Sequence, residues 1–459
     1  MVKVPKGVTL VVGLGISGRA ICRHLERQRV AYMVADTRAV PPGMDDFHAA
    51  HPGVAIHCGP LTALDLSEVE EVVVSPGVDP RTPGLDALAG RLREATGEPL
   101  VIGEIALFVR AARAPIAAIT GSNAKSTVTT LVGDMAVEAG RRVAVGGNLG
   151  TPALDLLADE PDADFYVLEL SSFQLETTPR LGAESVAFLN LSEDHLDRHG
   201  NMAGYREAKG AIFRGARHAV VNAEDPNTWP EARLPFQDSF TTRAPEAGEW
   251  GIGRHRDADW LMHGDTPLMP AAEVRLAGRH NQANALAALA MGRRLGLPME
   301  SMCRVLRRFP GLPHRGELVA EVGGVRWIND SKGTNVGATL AAIAGLGPTL
   351  AGRLILLAGG VGKGADFTPL AEPLARYGRE AILFGLDAER LARTLRGRLP
   401  ITEVEELSQA MARAAEIAEP GDCVLLSPAC ASLDQFANYQ ERGEVFRRWV
   451  RRHLGQEAT

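Results

Sequence analysis

Short apolar runs, each closed by a glycine-bearing turn and followed by a helical pattern, recur along the whole 459-residue chain. Such alternation restricts a chain to largely parallel sheets with helices packed on their faces. The rhythm occurs in three blocks. The first holds 8–12, 31–35 and 71–74; the second holds 115–120, 142–145, 165–168, 186–189 and 218–221; the third holds 325–328, 353–357, 381–384 and 422–426. A chain of this length exceeds what one core supports. The expected architecture is therefore α/β with three domains: a Rossmann-like domain over 1–103, a central P-loop ATPase-like parallel sheet over 104–311, and a second Rossmann-like domain over 312–459. Pro310-Gly-Leu-Pro313 marks the second boundary as a turn. Residues 235–269, rich in Gly, Asp and His, read as loops and short strands on the central domain.

The second block opens on Thr120-Gly-Ser-Asn-Ala-Lys-Ser-Thr127, between an apolar strand and a helix. Glycine lets backbone N–H groups turn toward anionic oxygens, and the helix N-terminus adds partial positive charge. Lys125 suits bridging β- and γ-phosphates, and the Ser126 hydroxyl suits Mg²⁺. The spacing departs from G-x-x-x-x-G-K-[ST]: the glycine lies four residues before the lysine, and Ala124 directly precedes it. An ordinary strand-to-helix turn is the alternative. The first block carries Gly13-Leu-Gly-Ile-Ser-Gly18 after a strand, with Asp36 about 20 residues on, the context of a dinucleotide fold. NAD and other nucleotide diphosphates both fit it, as does tight helix–strand packing without a ligand. Ser75-Pro-Gly77 ends the third strand, at the edge where such ligands bind.

Glu169 ends a strand of the central block, well placed for Mg²⁺ beside a phosphate loop. His195 follows another strand, between Asp194 and Asp197. Lys209 lies on the helical pattern 204–213, where periodicity alone makes it a surface lysine. In the third block, Leu312-Pro-His-Arg315, Asn329-Asp-Ser-Lys-Gly-Thr334, Gly359-Gly-Val-Gly-Lys-Gly364 and Ser427-Pro-Ala-Cys-Ala-Ser432 all fall at strand ends or turns. Together they suggest a second ligand surface facing the first.

A net charge of −7 gives no electrostatic reason to expect nucleic acid or an anionic membrane as partner. The basic run Arg447–Arg452 reads as one solvated helix. No apolar run is long enough for a membrane span, and the N-terminus lacks a signal-peptide core. The five cysteines (Cys22, Cys58, Cys303, Cys423, Cys430) form no C-x-x-C pair, which points to a reducing cytoplasm rather than a disulfide framework or zinc ribbon.

Taken in order, GLGISG with ADTR, SPG, TGSNAKST, GGNLG, ELSSFQLE, NLSEDHLDRHG, GRHNQANALAA, LPHR, NDSKGTN, GKGADF and LLSPACASLDQF resemble the Mur ligase family of bacterial peptidoglycan synthesis, from Gly13 to about Phe446. The resemblance implies an ATP-dependent ligase that joins D-glutamate to UDP-N-acetylmuramoyl-L-alanine through an acyl phosphate, giving ADP and phosphate. It implies a cytoplasmic monomer serving cell-wall synthesis and hence cell shape and division. Ile16, Ser17, Asp36, Thr37, Arg38, Ser75, Gly77 and Asn148 would hold the UDP substrate. Gly121, Ser122, Asn123, Ala124, Lys125, Ser126, Thr127, Asn284, Arg315 and Asp330 would bind ATP. Lys332, Thr334, Lys363, Ser432 and Leu433 would receive D-glutamate. Ser126, Glu169, His195 and Lys209 would serve two Mg²⁺ ions, Lys209 as a carbamate, and Lys125, Glu169, His195 and Lys209 form the expected catalytic set. The D configuration rests on resemblance alone.

Three positions depart from the family pattern. Ala124 replaces a glycine, tolerable at negative φ. Val361 stands where an acidic residue is frequent, and Tyr439 where Phe is common. A nicotinamide oxidoreductase would explain the first glycine motif but not the second phosphate loop. A folylpolyglutamate-synthase-like ligase shares the central and C-terminal plan but gives no reason for the N-terminal fold. A nucleotide-binding regulator leaves Lys125, Glu169, His195 and Lys209 unexplained.

Overall fold

The computed structural model describes residues 2–276 and 278–455. Three main sheets follow one another along the chain, and each βα block supplies one. The first is parallel, with strands in the order Ile56–Cys58, Tyr32–Asp36, Thr9–Val12, Val72–Val74, Val101–Gly103. Its central strands, Thr9–Val12 and Val72–Val74, are buried throughout, as expected of strands covered on both faces.

The central sheet has nine strands and places Ile116–Thr120 between Phe165–Glu169 and Ser185–Phe188. The phosphate loop therefore leaves the C-terminal edge of a central strand with a neighbouring strand end on each side. The helix that follows, Lys125–Glu138, packs against the alanine-rich helix Arg279–Arg294. Residues 235–269 are more regular than their composition suggests. Phe236–Phe240 adds a fifth consecutive parallel pairing, and Trp250–His255, Ala258–His263 and Thr266–Pro270 form an antiparallel meander that extends the sheet.

The third sheet runs Glu317–Val322, Val325–Asn329, Cys423–Leu426, Leu354–Gly359, Gly378–Phe384, Ile401–Glu403. Its first pair is an antiparallel hairpin closed by Gly323-Gly324, both at positive φ, the conformation a two-residue hairpin turn requires. The helix Tyr439–Leu454 carries the basic run. It is less solvated than its charge suggests: Phe446 and Val450 are buried, and Arg447 binds Glu317 at 2.8 Å.

The helix Glu104–Ala111 packs into a core that spans the first and second sheets, joining Val11, Leu14 and Ile21 to Leu154, Leu168 and Leu175. The two blocks are thus welded by apolar packing as well as by the chain. Among the described residues no helix is long and apolar enough to cross a membrane.

Candidate active site between the central and third sheets

Gly121 lies at φ +156, and an added Cβ would come within 3.2 Å of the Asn123 carbonyl. Ala124 lies at φ 66, ψ −5, in the left-handed region, directly before the helix Lys125–Glu138. The negative φ that would make this alanine costless is therefore not the one adopted; the loop's curvature imposes the conformation glycine would take freely. The loop is pinned from behind. Ser122 Oγ donates to the Ser192 carbonyl and accepts from its N–H, both at 2.9 Å, while Asn123 N–H donates to Asn190 Oδ1 at 2.8 Å.

Lys125 folds back over the loop, its Nζ 2.8 Å from the Gly121 carbonyl and 3.0 Å from that of Ser122. Ser126 Oγ donates to Glu169 Oε2, and Asn148 Nδ2 donates to Glu169 Oε1 at 2.8 Å. Burial alone would raise the Glu169 pKa, but the Lys125 charge and these two donors outweigh it and hold the carboxyl ionised. Asn148, expected to touch the UDP substrate, stands beside Glu169, next to the loop 121–127.

Lys209 is not the surface lysine its periodicity gives. It is 1% exposed, with Nζ 2.8 Å from the Gly121 carbonyl and 4.8 Å from the centre of the Tyr205 ring. Burial, reinforced by the Lys125 charge, lowers its pKa well below that of an ordinary lysine, which favours the neutral amine. His195 caps the four-residue helix Leu196–His199 at φ 55 and packs edge-on to Phe173. Burial, only partly opposed by Asp194, brings it to about 4, so the imidazole is neutral at neutral pH.

The third sheet reaches across. Arg315 Nη2 donates to Ser126 Oγ at 2.5 Å, Lys363 Nζ meets Asp194 Oδ1 at 2.9 Å, and Asn335 Nδ2 donates to Asn123 Oδ1 and Asp194 Oδ2, both at 3.2 Å. Between the sheets lies a cleft of about 590 Å³. Asn123, Thr127, Asn284, Arg315, Asp330 and Lys332 give it polar anchors, and Leu189, Phe240, Leu276 and Leu312 give it apolar walls. Polar anchors set among apolar walls suit a nucleotide. A separate small hollow gathers Asp194, His195, Thr334 and Lys363. Lys332, expected with Thr334 and Lys363, lines the larger cleft instead. Its amine makes no hydrogen bond or ion pair among the described residues and lies 3.9 Å over the Tyr439 ring. Burial and the Arg315 charge lower it to about 7. Ser432 is buried, whereas Leu433 is exposed.

In the first sheet, Asp36 is already engaged. Its carboxylate accepts from the Leu14 N–H at 2.8 Å and from the Arg38 guanidinium at 2.8 and 2.7 Å. Ser75 Oγ donates to the Gly13 carbonyl at 2.9 Å. Both hold the glycine loop in shape, and the open donors beside it are the N-terminus of the helix Ile16–Arg27, which carries no side-chain cap. Ile16, Ser17, Thr37 and Gly77 flank it.

Two residues at the site were not anticipated. Asn335 caps the helix Val336–Leu346 and bridges the domains; it is the final residue of NDSKGTN, a motif read only as far as Thr334. Arg442 is fully buried and binds the carbonyls of Ser331 and Cys430 at 2.8 and 3.1 Å, tying two site loops together. Its sole sequence signal is an arginine on the apolar face of a helix.

Among the described residues no cluster of three or more His, Cys, Asp and Glu side chains could hold a metal alone. Ser126 with Glu169, and His195 and Lys209 at 6.4 and 4.8 Å from the Tyr205 ring, are two partial donor sets. Mg²⁺ ordinarily keeps waters and phosphate oxygens in its shell, so partial sets at a phosphate cradle fit it.

A strand-to-helix glycine loop on one α/β sheet, faced by a second sheet that brings arginine and lysine, with a further sheet sharing the core of the first, makes a three-domain α/β protein with its cleft between two sheets. The chain matches the Mur ligase MurD-like N-terminal domain over residues 7–97, the Mur ligase middle domain over 119–292, and the Mur ligase glutamate ligase domain over 314–430. It is 67% identical over 450 residues to the UDP-N-acetylmuramoylalanine--D-glutamate ligase of Chromohalobacter salexigens, covering 98% of both chains. It is 51% identical to the protein of that name from Pseudomonas aeruginosa, over 96% of this chain and 97% of the relative. Among solved structures it shares its fold with the UDP-N-acetylmuramate-alanine ligase MurC of Thermotoga maritima (TM-score 0.59, 16% identity, 98% and 100% coverage) and with E. coli FolC in complex with ADP (TM-score 0.56, 18% identity, 76% and 93% coverage). The chain belongs to the Mur ligase family.

Proposed function

We propose that this chain joins D-glutamate to UDP-N-acetylmuramoyl-L-alanine at the expense of ATP, in the cytoplasm and as a monomer, during peptidoglycan precursor synthesis. The observation that carries the reading is the cleft itself: the cradle 121–127 faces Arg315, Asp330 and Lys332 across a nucleotide-sized space, with a second hollow at His195 and Lys363 beside it. The domains are assigned to 1–103, 104–311 and 312–459. Each boundary falls between the last strand of one sheet and the first of the next.

The substrate alanyl carboxylate attacks the γ-phosphorus; a P–O bond forms to the carboxyl oxygen and the bridging P–O bond breaks, releasing ADP. The glutamate amine then attacks the acyl carbon, and collapse of the tetrahedral adduct expels phosphate and leaves the amide. Lys125 spreads the charge on the transferring group once it turns from the Gly121 and Ser122 carbonyls. Arg315 and Lys332 neutralise phosphate from the opposite wall. Thr334, Lys363, Ser432 and Leu433 receive the amino acid, with Lys363 pairing a carboxylate. Magnesium, when bound, screens the phosphate charge as carboxylate and phosphate approach. Ser126 and Glu169 would hold one ion, and His195 with Lys209 a second. The neutral amine of Lys209 is the form that adds to CO₂, giving a carbamate and a proton, and so supplies the anion that the second donor set lacks.

The test is phosphate release from ATP by purified protein with Mg²⁺ and UDP-N-acetylmuramoyl-L-alanine, comparing D-glutamate, L-glutamate and neither. Release with D-glutamate alone supports the reading. Release with L-glutamate overturns the stereochemistry, and release with neither overturns the proposed reaction.

A further inference from the structure

The UDP end of the substrate and its reacting carboxylate are held by different domains, so something must fix the distance between them. Among the described residues, the polar contacts between the loop after Val72–Val74 and the segment that carries His195 converge on one residue, Arg198. Arg198 Nη2 donates to the Val78 carbonyl at 3.0 Å and to Glu176 Oε2 at 2.9 Å, and its Nε lies 3.6 Å from Asp79 Oδ2. The main-chain carbonyl of Arg198 in turn accepts from Arg81, whose guanidinium is locked to Asp79 at 2.9 and 2.8 Å. Val78 directly follows Gly77, a residue assigned above to the UDP substrate, and Arg198 sits three residues after His195.

The contact is built rather than incidental. The Arg198 side chain is 10% exposed and its guanidinium lies 5.0 Å over the Phe173 ring, whose other neighbours are His195 at 4.9 Å and His199 at 5.5 Å. On the far side of the same short helix, Asp194 accepts from Lys363 and Asn335 of the third sheet. The segment 194–198 is therefore gripped by the first domain at one end and by the third at the other.

We infer that Arg198 is a positioning residue that sets the spacing between the UDP-binding loop and His195, so that a substrate anchored in the first domain presents its carboxylate in register with the phosphate cradle. The inference rests on the ligase reading above. A planar guanidinium that donates to the Val78 carbonyl and to Glu176 at once suits this role because it fixes direction as well as distance, which an ammonium does not. Displacement of a reacting group by about 1 Å can cost on the order of 100-fold in rate.

The experiment compares Arg198→Ala, Arg198→Lys and Arg81→Ala with the native chain in the complete assay with ATP, Mg²⁺, D-glutamate and UDP-N-acetylmuramoyl-L-alanine. UDP-substrate affinity is measured separately by calorimetry. The expected result for Arg198→Ala is a fall in kcat of about 10- to 100-fold, with the KM for ATP and the affinity for the UDP substrate within about threefold of native. Arg198→Lys recovers part of kcat, and Arg81→Ala shows a smaller fall of the same kind. If kcat is unchanged in folded Arg198→Ala, or if kcat, KM and affinity all deteriorate together, the positioning role is wrong. Should Arg198→Ala fail to fold, Arg81→Ala decides: it keeps the Arg198 charge and its pairs, and native kcat there overturns the inference. Absence of turnover in the native chain would instead overturn the ligase reading.

Discussion

Ala124 offers a quantitative test of how the phosphate loop is built. Its φ of 66 and ψ of −5 put an L-residue where its Cβ crowds the following carbonyl, at a cost of about 1–2 kcal/mol. Ala124→Gly removes that cost but loosens the unfolded chain, which takes back about 0.4–1 kcal/mol. The balance runs from about 0 to 1.6 kcal/mol of stabilisation, and its midpoint of about 0.8 kcal/mol raises the melting temperature of a domain of 150–250 residues by about 2–3 °C. Ala124→Val puts a β-branched residue at the same angle and should be less stable than the native chain. Scanning calorimetry of the full chain, which separates transitions when domains unfold apart, should rank the central domain Gly above Ala above Val. A glycine variant melting at or below the native temperature would show that the left-handed alanine carries no strain there.

Two further perturbations follow from buried ionisable groups. Lys209→Ala should abolish turnover, and short carboxylates added at millimolar concentration should restore part of it; substantial activity in the variant without them would remove the carbamate from the mechanism. Glu104 is 1% exposed, accepts one long bond from the Leu154 N–H at 3.3 Å and leaves Oε2 without a partner, so burial raises it to about 7. A carboxyl raised from about 4.3 binds more protons folded than unfolded, so stability falls as pH rises from about 4.3 to about 7, by on the order of 3 kcal/mol, and stays reduced above it. Glu104→Gln should flatten urea-unfolding stability across that window and be the more stable form at pH 8. Parallel pH curves for the two would refute this.

The parallel framework was legible because each buried strand, such as Val72–Val74, is an unbroken apolar run followed by a glycine turn, and those two signals are local. Edge strands were not. Glu317–Val322 and Ile401–Glu403 are half-exposed and broken by charged or polar residues, so they carry no continuous apolar signature, and in the meander strand Ala258–His263 only Leu261 is buried. At the site, residues in the phosphate loop could be read from chemistry because strand, glycine, lysine and serine are adjacent. Lys209 could not, since its burial is created by Tyr205 and the Gly121 carbonyl, contacts that depend on tertiary packing. The same holds for Arg442 and Arg198, whose partners lie 12 to 120 residues away. Asp36 and Ser75, read from the sequence as contacts to the UDP substrate, have polar atoms that shape the glycine loop itself.

In the proposed reaction ATP activates the alanyl carboxylate before the amide forms. The most direct test is to supply UDP-N-acetylmuramoyl-L-alanine labelled with oxygen-18 in that carboxylate, with ATP, Mg²⁺ and D-glutamate, and to follow the label and the nucleotide product by mass spectrometry. Passage through the acyl phosphate should leave one labelled oxygen in each released phosphate and a UDP product heavier by one glutamyl residue. Phosphate without label, or ATP cleavage without the heavier product, would contradict it.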